Sequence, residues 1–330
     1  MSGGPADRLL IIGGSGFIGR HLAQLCIARG IETVATSRNW GDIECGQPRG
    51  GRGVIRVRLD IRDEEAVREV LRQWRPRFVV LLAAQSSVAQ AEREADLAFA
   101  VNLVGALHVF AAVRAVACVE KVVWTGSAEA YGASAAGAPL LTEAAPLQPF
   151  TVYGVSKAAA DWLAAAMARS RDVPIVRARL FPCTGPGQST RFVCADFAQQ
   201  IALAKHQGRP IVIRAGNLEV IRDFTDVRDT ARALLELAFH GQVAEAYNVC
   251  SATGRSIREV AETLLEIAGN TGAIVSELSR CRRVDIPRLV GCHDKITAAT
   301  GWLPQYSWRQ TLVDLLSDCW RRFGVSSTGT

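Results

Sequence analysis

Leu9-Leu10-Ile11-Ile12-Gly13-Gly14-Ser15-Gly16-Phe17-Ile18-Gly19 is a short apolar run that enters a glycine turn, and an amphipathic helical pattern follows to about Arg29. The order is strand, turn, helix. Of its glycines, Gly13 permits a tight turn, Gly16 lets a diphosphate approach the backbone, and Gly19 lets helix and strand pack closely. The helix N-terminus then faces the anion. A glycine pattern in this context predicts a dinucleotide site built from Gly13, Ser15, Gly16, Phe17, Ile18 and Gly19.

Working outward, a second strand over 32–36 ends in Ser37-Arg38-Asn39, where an NAD-preferring protein places a carboxylate for the ribose hydroxyls. Arg38 instead suits a 2′-phosphate, with Ser37 as a second donor. NADP is therefore expected, with NAD as the alternative because Asp42 and Glu44 follow closely. Residues 39–53 read as a connection, and a strand over 54–59 brings Asp60 and Ile61 over the adenine. After a helix over 63–74, the buried strand 78–82 ends in Ala83-Ala84-Gln85-Ser86-Ser87, small enough for a cofactor to lie across. A long helix over 92–118 carries Asn102 in an apolar stretch, and strand 121–125 runs into Gly126-Ser127-Ala128-Glu129-Ala130-Tyr131-Gly132. Such alternation of strand and helix predicts an α/β fold of Rossmann type, a doubly wound parallel sheet.

Tyr153-Gly154-Val155-Ser156-Lys157 opens an alanine-rich helical run and sets a phenol and an ammonium four residues apart, on one helix face. A lysine held close would lower the tyrosine pKa and ready it for proton transfer to a carbonyl oxygen. Beyond residue 180 the pattern is less regular, with a strand at 246–249 and helices near 256–268 and 307–323. The division expected is a cofactor-binding domain over 1–180, which also receives segments near 205–250, and a smaller C-terminal substrate-binding lobe over 181–330.

The chain has 330 residues, is 49% hydrophobic and carries a net charge of +6 without a block of like charges. Nucleic acid is not an expected partner. Nine scattered cysteines, with no C-x-x-C pair and no histidine pair at ligand spacing, read as free thiols in a reducing compartment, with no metal site. Met1 to Arg8 carry no signal-peptide core, and no apolar run is expected to span a membrane, so a cytoplasmic protein follows.

With the glycine turn, Ser127 and the Tyr153/Lys157 pair in this order, the chain resembles the extended short-chain dehydrogenase/reductases (the NAD-dependent epimerase/dehydratase family) that act on nucleotide sugars. More narrowly it is similar to GDP-4-keto-6-deoxy-D-mannose reductases and GDP-mannose 4,6-dehydratases. The stretches that carry this are Ala83 to Ala89, Ser127 to Gly132, Thr184-Gly185-Pro186-Gly187-Gln188, Gly216 to Glu219 with Arg222 to Asp229, and Val284 to Gly291. The resemblance implies an NADPH-dependent reduction of a sugar 4-keto group. Tyr153 would donate the proton, Ser127 would bind the same oxygen, and Lys157 would hold the nicotinamide ribose. It also implies cofactor contacts at Ala83 and Ala84, a diphosphate site at Arg222 and Arg282, and a substrate pocket with Ser86, Phe192, Val193, Val212 and Asn217. Arg191, Arg283 and Arg288 are further arginines in these stretches. In the family, paired small-residue helices make a homodimer, expected here from 92–118 and 152–170.

Three positions depart from the family pattern: Pro182-Cys183 in place of Asn-His, Ile12 in place of Thr, and Ala128 where many dehydratases carry a polar residue. Glu129 stands where dehydratases keep the base that removes the C5 proton. Dehydration is thus the alternative to reduction, with epimerisation third. A non-catalytic NADP-sensing regulator is disfavoured by the joint presence of Ser127, Tyr153 and Lys157.

Overall fold

A computed structural model describes residues 8–40, 53–137, 139–170, 173–269, 271–281 and 284–324. The first strand, β1 (Leu9–Ile12), is wholly buried and leads through the glycine turn into α1 (Phe17–Ala28). Then come β2 (Thr33–Ser37), β3 (Ile55–Arg58), α2 (Glu64–Trp74) and β4 (Phe78–Leu81). Short helices α3 (Val88–Arg93) and α4 (Ala95–Phe99), a π-helical turn (Ala100–Val104) and α5 (Gly105–Val116) precede β5 (Lys121–Ser127). A 3₁₀ turn (Ala128–Tyr131) follows, then α6 (Val152–Arg169) and β6 (Ile175–Leu180).

Beyond β6 the chain adds β7 (Cys183–Thr184), α7 (Val193–His206), β8 (Val212–Ala215), β9 (Ile221–Asp223) and β10 (Thr225–Asp226). Helix α8 (Val227–His240), β11 (Ala246–Val249), β12 (Gly254–Ser256), α9 (Ile257–Ile267) and β13 (Ala273–Ser276) are next. The last elements are β14 (Arg288–Leu289), α10 (Asp294–Thr300) and α11 (Trp308–Phe323).

Seven strands form one sheet in the order β3-β2-β1-β4-β5-β6-β11, and every pairing is parallel. Both faces are covered, which explains why the central strands β1 and β4 are wholly apolar. Leu10 and Ile12 belong to the core shared with α2, α5 and α6, while Leu9 and Ile11 belong to the one shared with α1 and α8. Strand order reverses between β1 and β4, so a crevice opens at their C-terminal ends, where ligands bind in such sheets. Since α8 and β11 return to the sheet, the chain after 180 is shared between two bodies. The second packs α7, α9 and α11 with the β8–β13 pair around Phe197, Ile201, Ile213, Leu264, Leu312 and Leu316.

The helix expected over 92–118 is broken at Glu94, whose φ of −129° and ψ of 57° are not helical. Its π turn aims Asn102 inward, where Oδ1 accepts from Gln85 N at 2.8 Å and Nδ2 donates to Gln85 O and Ser156 Oγ at 3.1 and 2.9 Å. Contrary to the sequence expectation, Ala95–Val116 is long and apolar enough to cross a membrane. In the fold its Asn102, Ala106, Val109, Phe110, Ala112 and Val113 are buried, five of them in the core with α2 and the sheet, which explains its composition without a bilayer. The eight described cysteines are free, Cys45 lying outside the described residues.

Candidate active site

Gly13 adopts φ 100°, and a Cβ there would lie 2.7 Å from Ala83 N; one on Gly19 would lie 2.4 Å from Gly13 O. Neither contact tolerates a side chain, so the close approach of turn, helix and β4 depends on glycine. Gly16 opens α1 in extended conformation, and the first turn has no acidic side chain. That surface fits an anionic diphosphate. Farther along the strand ends, Ser15 Oγ and Ser37 Oγ lie 2.6 Å apart, and Ser37 Oγ donates to Asn39 O at 2.6 Å. Arg38 is exposed at the end of β2. The Asp60 carboxylate accepts from Arg62 Nη2 at 2.6 Å, which holds it below the usual carboxylate range. Ile61 packs where a Cβ on Gly105 would meet it at 2.6 Å. Asp42 and Glu44 lie outside the described residues.

Ser127 ends β5 and its Oγ accepts from Glu129 N at 3.2 Å, so the strand passes straight into the turn that carries Glu129. Opposite stands the start of α6, capped by Thr151 Oγ1, which accepts from Gly154 N at 3.0 Å. A Cβ on Gly154 would sit 2.8 Å from Glu129 O; the residue after Tyr153 is glycine because helix and turn touch there. Ser156 Oγ donates to Tyr153 O at 2.8 Å and links this turn to Asn102.

The expectation that Lys157 depresses the tyrosine pKa is corrected by the structure. Burial pushes the Tyr153 hydroxyl up to about 12; a hydrogen bond with Ser127 opposes this, and Glu129 and Cys183 add to it. Lys157 shares the helix face, but its Nζ donates to Thr125 O at 2.7 Å and lies 5.2 Å from the Trp124 ring. Burial lowers its pKa to about 8. Tyr153 is neutral at pH 7 with or without this shift, and that is the form that can donate a proton.

These groups line one cavity of about 640 Å³ with Gly13, Gly16, Phe17, Ile18, Gly19, Ala84 and Ser86. Of the substrate residues expected from sequence, Phe192, Val193, Asn217 and Arg222 line it as well. Val212 does not: it begins β8, paired with Ala273, and Ala215 at the other end of that strand lines the cavity instead. Ser15, Ser37, Arg38, Asp60, Ile61 and Ala83 lie outside this lining, by the strand ends described above. Arg222 is buried, donates to Ile286 O at 2.6 Å and pairs with Asp285. Arg282 and Arg283 lie outside the described residues, and Arg288 is exposed on β14.

Sequence reasoning missed Thr125, whose carbonyl receives Lys157 and so leaves no side-chain signal. It also missed Arg280, in the lining and 3.1 Å from Asp196. Among the described residues no three His, Cys, Asp or Glu side chains gather as a metal would need.

A family model described as GDP-mannose 4,6 dehydratase matches residues 10–315. The chain belongs to this family. It is 33% identical over 313 residues to the GDP-6-deoxy-D-mannose reductase of Pseudomonas aeruginosa, covering 94% of this chain and 97% of that one. It is 27% identical to the UDP-glucose 4-epimerase of Streptomyces lividans, with 96% and 95% covered. Among solved structures, RMD from Pseudomonas aeruginosa complexed with NADPH superposes with a TM-score of 0.83 at 31% identity, covering 96% of this chain and all of that one. The NAD complex of Thermus thermophilus UDP-glucose 4-epimerase gives a TM-score of 0.83 at 30% identity, covering 94% and 98%. The two solved structures share the fold, and the names of the two sequence relatives refer to nucleotide sugars.

Proposed function

We propose that the chain reduces the 4-keto group of a GDP-linked 4-keto-6-deoxy-D-mannose with NADPH, giving a GDP-D-rhamnose-type product. The observation that carries this is the meeting of Ser127, Tyr153 and Lys157 with the glycine turn in one cavity, in a chain 33% identical to a GDP-6-deoxy-D-mannose reductase. When bound, the nicotinamide supplies the hydride. Tyr153, neutral and buried, gives its proton to the oxygen at C4, which Ser127 also contacts. Lys157 contributes positive charge on the cofactor side, beside the Thr125 carbonyl. Gly13, Gly16 and Gly19 clear space for the diphosphate, and Arg38 with Ser37 favours the 2′-phosphate of NADP over NAD. Phe192, Val193 and Asn217 would contact the sugar nucleotide, as would Arg222 with its side chain already fixed by Asp285.

Dehydration is the second reading because Glu129 lines the cavity and acts on Tyr153 electrostatically. Purified protein incubated with NADPH and GDP-4-keto-6-deoxymannose tests the first. Cofactor oxidation is expected; turnover of GDP-mannose without it would establish the second. We further infer a cytoplasmic homodimer, supported by the described free thiols and by exposed Val104, Leu107, Val155 and Trp162 on the α5 and α6 region.

A further inference from the structure

Arg177 and Arg179 stand two residues apart on β6, hence on one face of a strand that is otherwise apolar. Both reach Asp161 on α6. Arg177 Nη1 donates to Oδ1 at 2.7 Å, Arg179 Nε to Oδ2 at 2.9 Å, and Arg179 Nη2 to Oδ1 at 3.0 Å. The carboxylate is 1% exposed and the arginines 8% and 5%, so the cluster is removed from solvent screening. A carboxylate buried without partners is costly, and here two guanidinium groups supply the partners. Arg179 Nη1 also donates to Tyr131 Oη at 3.0 Å and Glu143 O at 3.1 Å, and Tyr131 Oη donates to Asn248 Oδ1 at 2.7 Å. One guanidinium therefore ties α6, which carries Tyr153 and Lys157, to the turn that carries Glu129.

Asp161 follows Lys157 by one helical turn, on the same face. On the elements packed against α6, the other charged and titratable groups are Glu92 and Arg93 of α3, Asp96 of α4, and His108 and Arg114 of α5. Lys121 of β5 and Glu129 and Tyr131 of the 3₁₀ turn complete the set with the two arginines. Among all of these, Asp161 is the charge that opposes desolvation of the Lys157 ammonium.

We propose that Asp161, held by Arg177 and Arg179, is a positioning residue for the reaction: it keeps Lys157 an ammonium on the Thr125 carbonyl while Arg179 fixes α6 against the Glu129 turn. This rests on the reading of Tyr153 and Lys157 as the reacting pair. The test uses the fact that the chain has only four lysines, at 121, 157, 205 and 295. Carbon-13 labelling of the lysine ε-carbons gives four titrations by NMR, with that of Lys157 identified by its loss in Lys157→Arg.

The double variant Asp161→Asn/Arg177→Gln keeps the cluster at +1, since two arginines and one carboxylate become one arginine and two neutral amides. In it Lys157 is expected to titrate at lower pH than in the wild type, and the alkaline limb of kcat to move the same way. A folded double variant with Lys157 titrating as in the wild type overturns the proposal, because loss of structure alone would lower the melting temperature without moving that limb. Arg179→Lys supplies the second arm. It keeps the charge but not the fork geometry, and a fall in kcat of roughly tenfold or more is expected, the scale of one charged hydrogen bond. Unchanged kcat in that variant also overturns the proposal. If the wild type does not consume NADPH with the 4-keto sugar, the functional reading fails, yet the lysine titration still decides the role of Asp161.

Discussion

Burial, rather than its neighbour Lys157, dominates the environment of the Tyr153 hydroxyl. With the phenol pushed up to about 12 and the ammonium down to about 8, the pair is neutral acid plus cation at pH 7. As pH rises, Lys157 loses its proton first, so the alkaline limb of kcat/KM for reduction is expected near 8, before any ionisation of Tyr153. Tyr153→Phe is expected to reduce kcat by roughly 10²–10⁴-fold while NADPH binding, read by fluorescence titration, stays close to wild type. A variant with kcat near wild type would mean that another group delivers the proton. Spacing in the sequence placed both side chains on one face correctly. It could not show where Nζ points, because the partner is a backbone oxygen, Thr125 O, in a strand thirty-two positions away.

At the scale of elements, the contact between α6 and the 3₁₀ turn is the joint on which the site depends. Gly154→Ala would bring a Cβ to 2.8 Å from Glu129 O. The expected outcome is a loss of about 1–3 kcal/mol in chemical denaturation together with reduced kcat, since the helix must move away from the turn. An unchanged stability would show that the joint is loose. The strand, glycine turn and helix at residues 9–28 were legible in the sequence because local chemistry decides them: an apolar run, then glycines where no Cβ fits. The break at Glu94 was not, since Gln90 to Asp96 carry no glycine or proline to mark a stop. Val212 was misplaced for a simple reason. Its neighbour Ala215 is three residues on, about 10 Å along a strand, and only that end of β8 reaches the cavity. The Arg177–Asp161–Arg179 cluster also escaped notice, although two arginines in an otherwise apolar strand and a lone acid in an alanine-rich helix were visible signals.

For the molecule as a whole, the parallel sheet determines where the crevice lies and the second body closes over it, so residues from β5, α6, α7 and the segment after β8 share one cavity. The α5 and α6 face away from the sheet leaves Trp162 57% exposed. A homodimer through this face predicts twice the chain mass in sedimentation at micromolar concentration and a monomer for Trp162→Glu; a monomeric wild type would contradict it. In the proposed reaction the hydride passes from NADPH to C4 of the sugar. Supplying NADPH deuterated at the transferring C4 position with GDP-4-keto-6-deoxymannose, and analysing the product sugar by mass spectrometry and NMR, tests it most directly. One deuterium at sugar C4, matched to one NADPH consumed, is the predicted result; product formed without deuterium at C4, or turnover of GDP-mannose alone with no NADPH consumed, would contradict it.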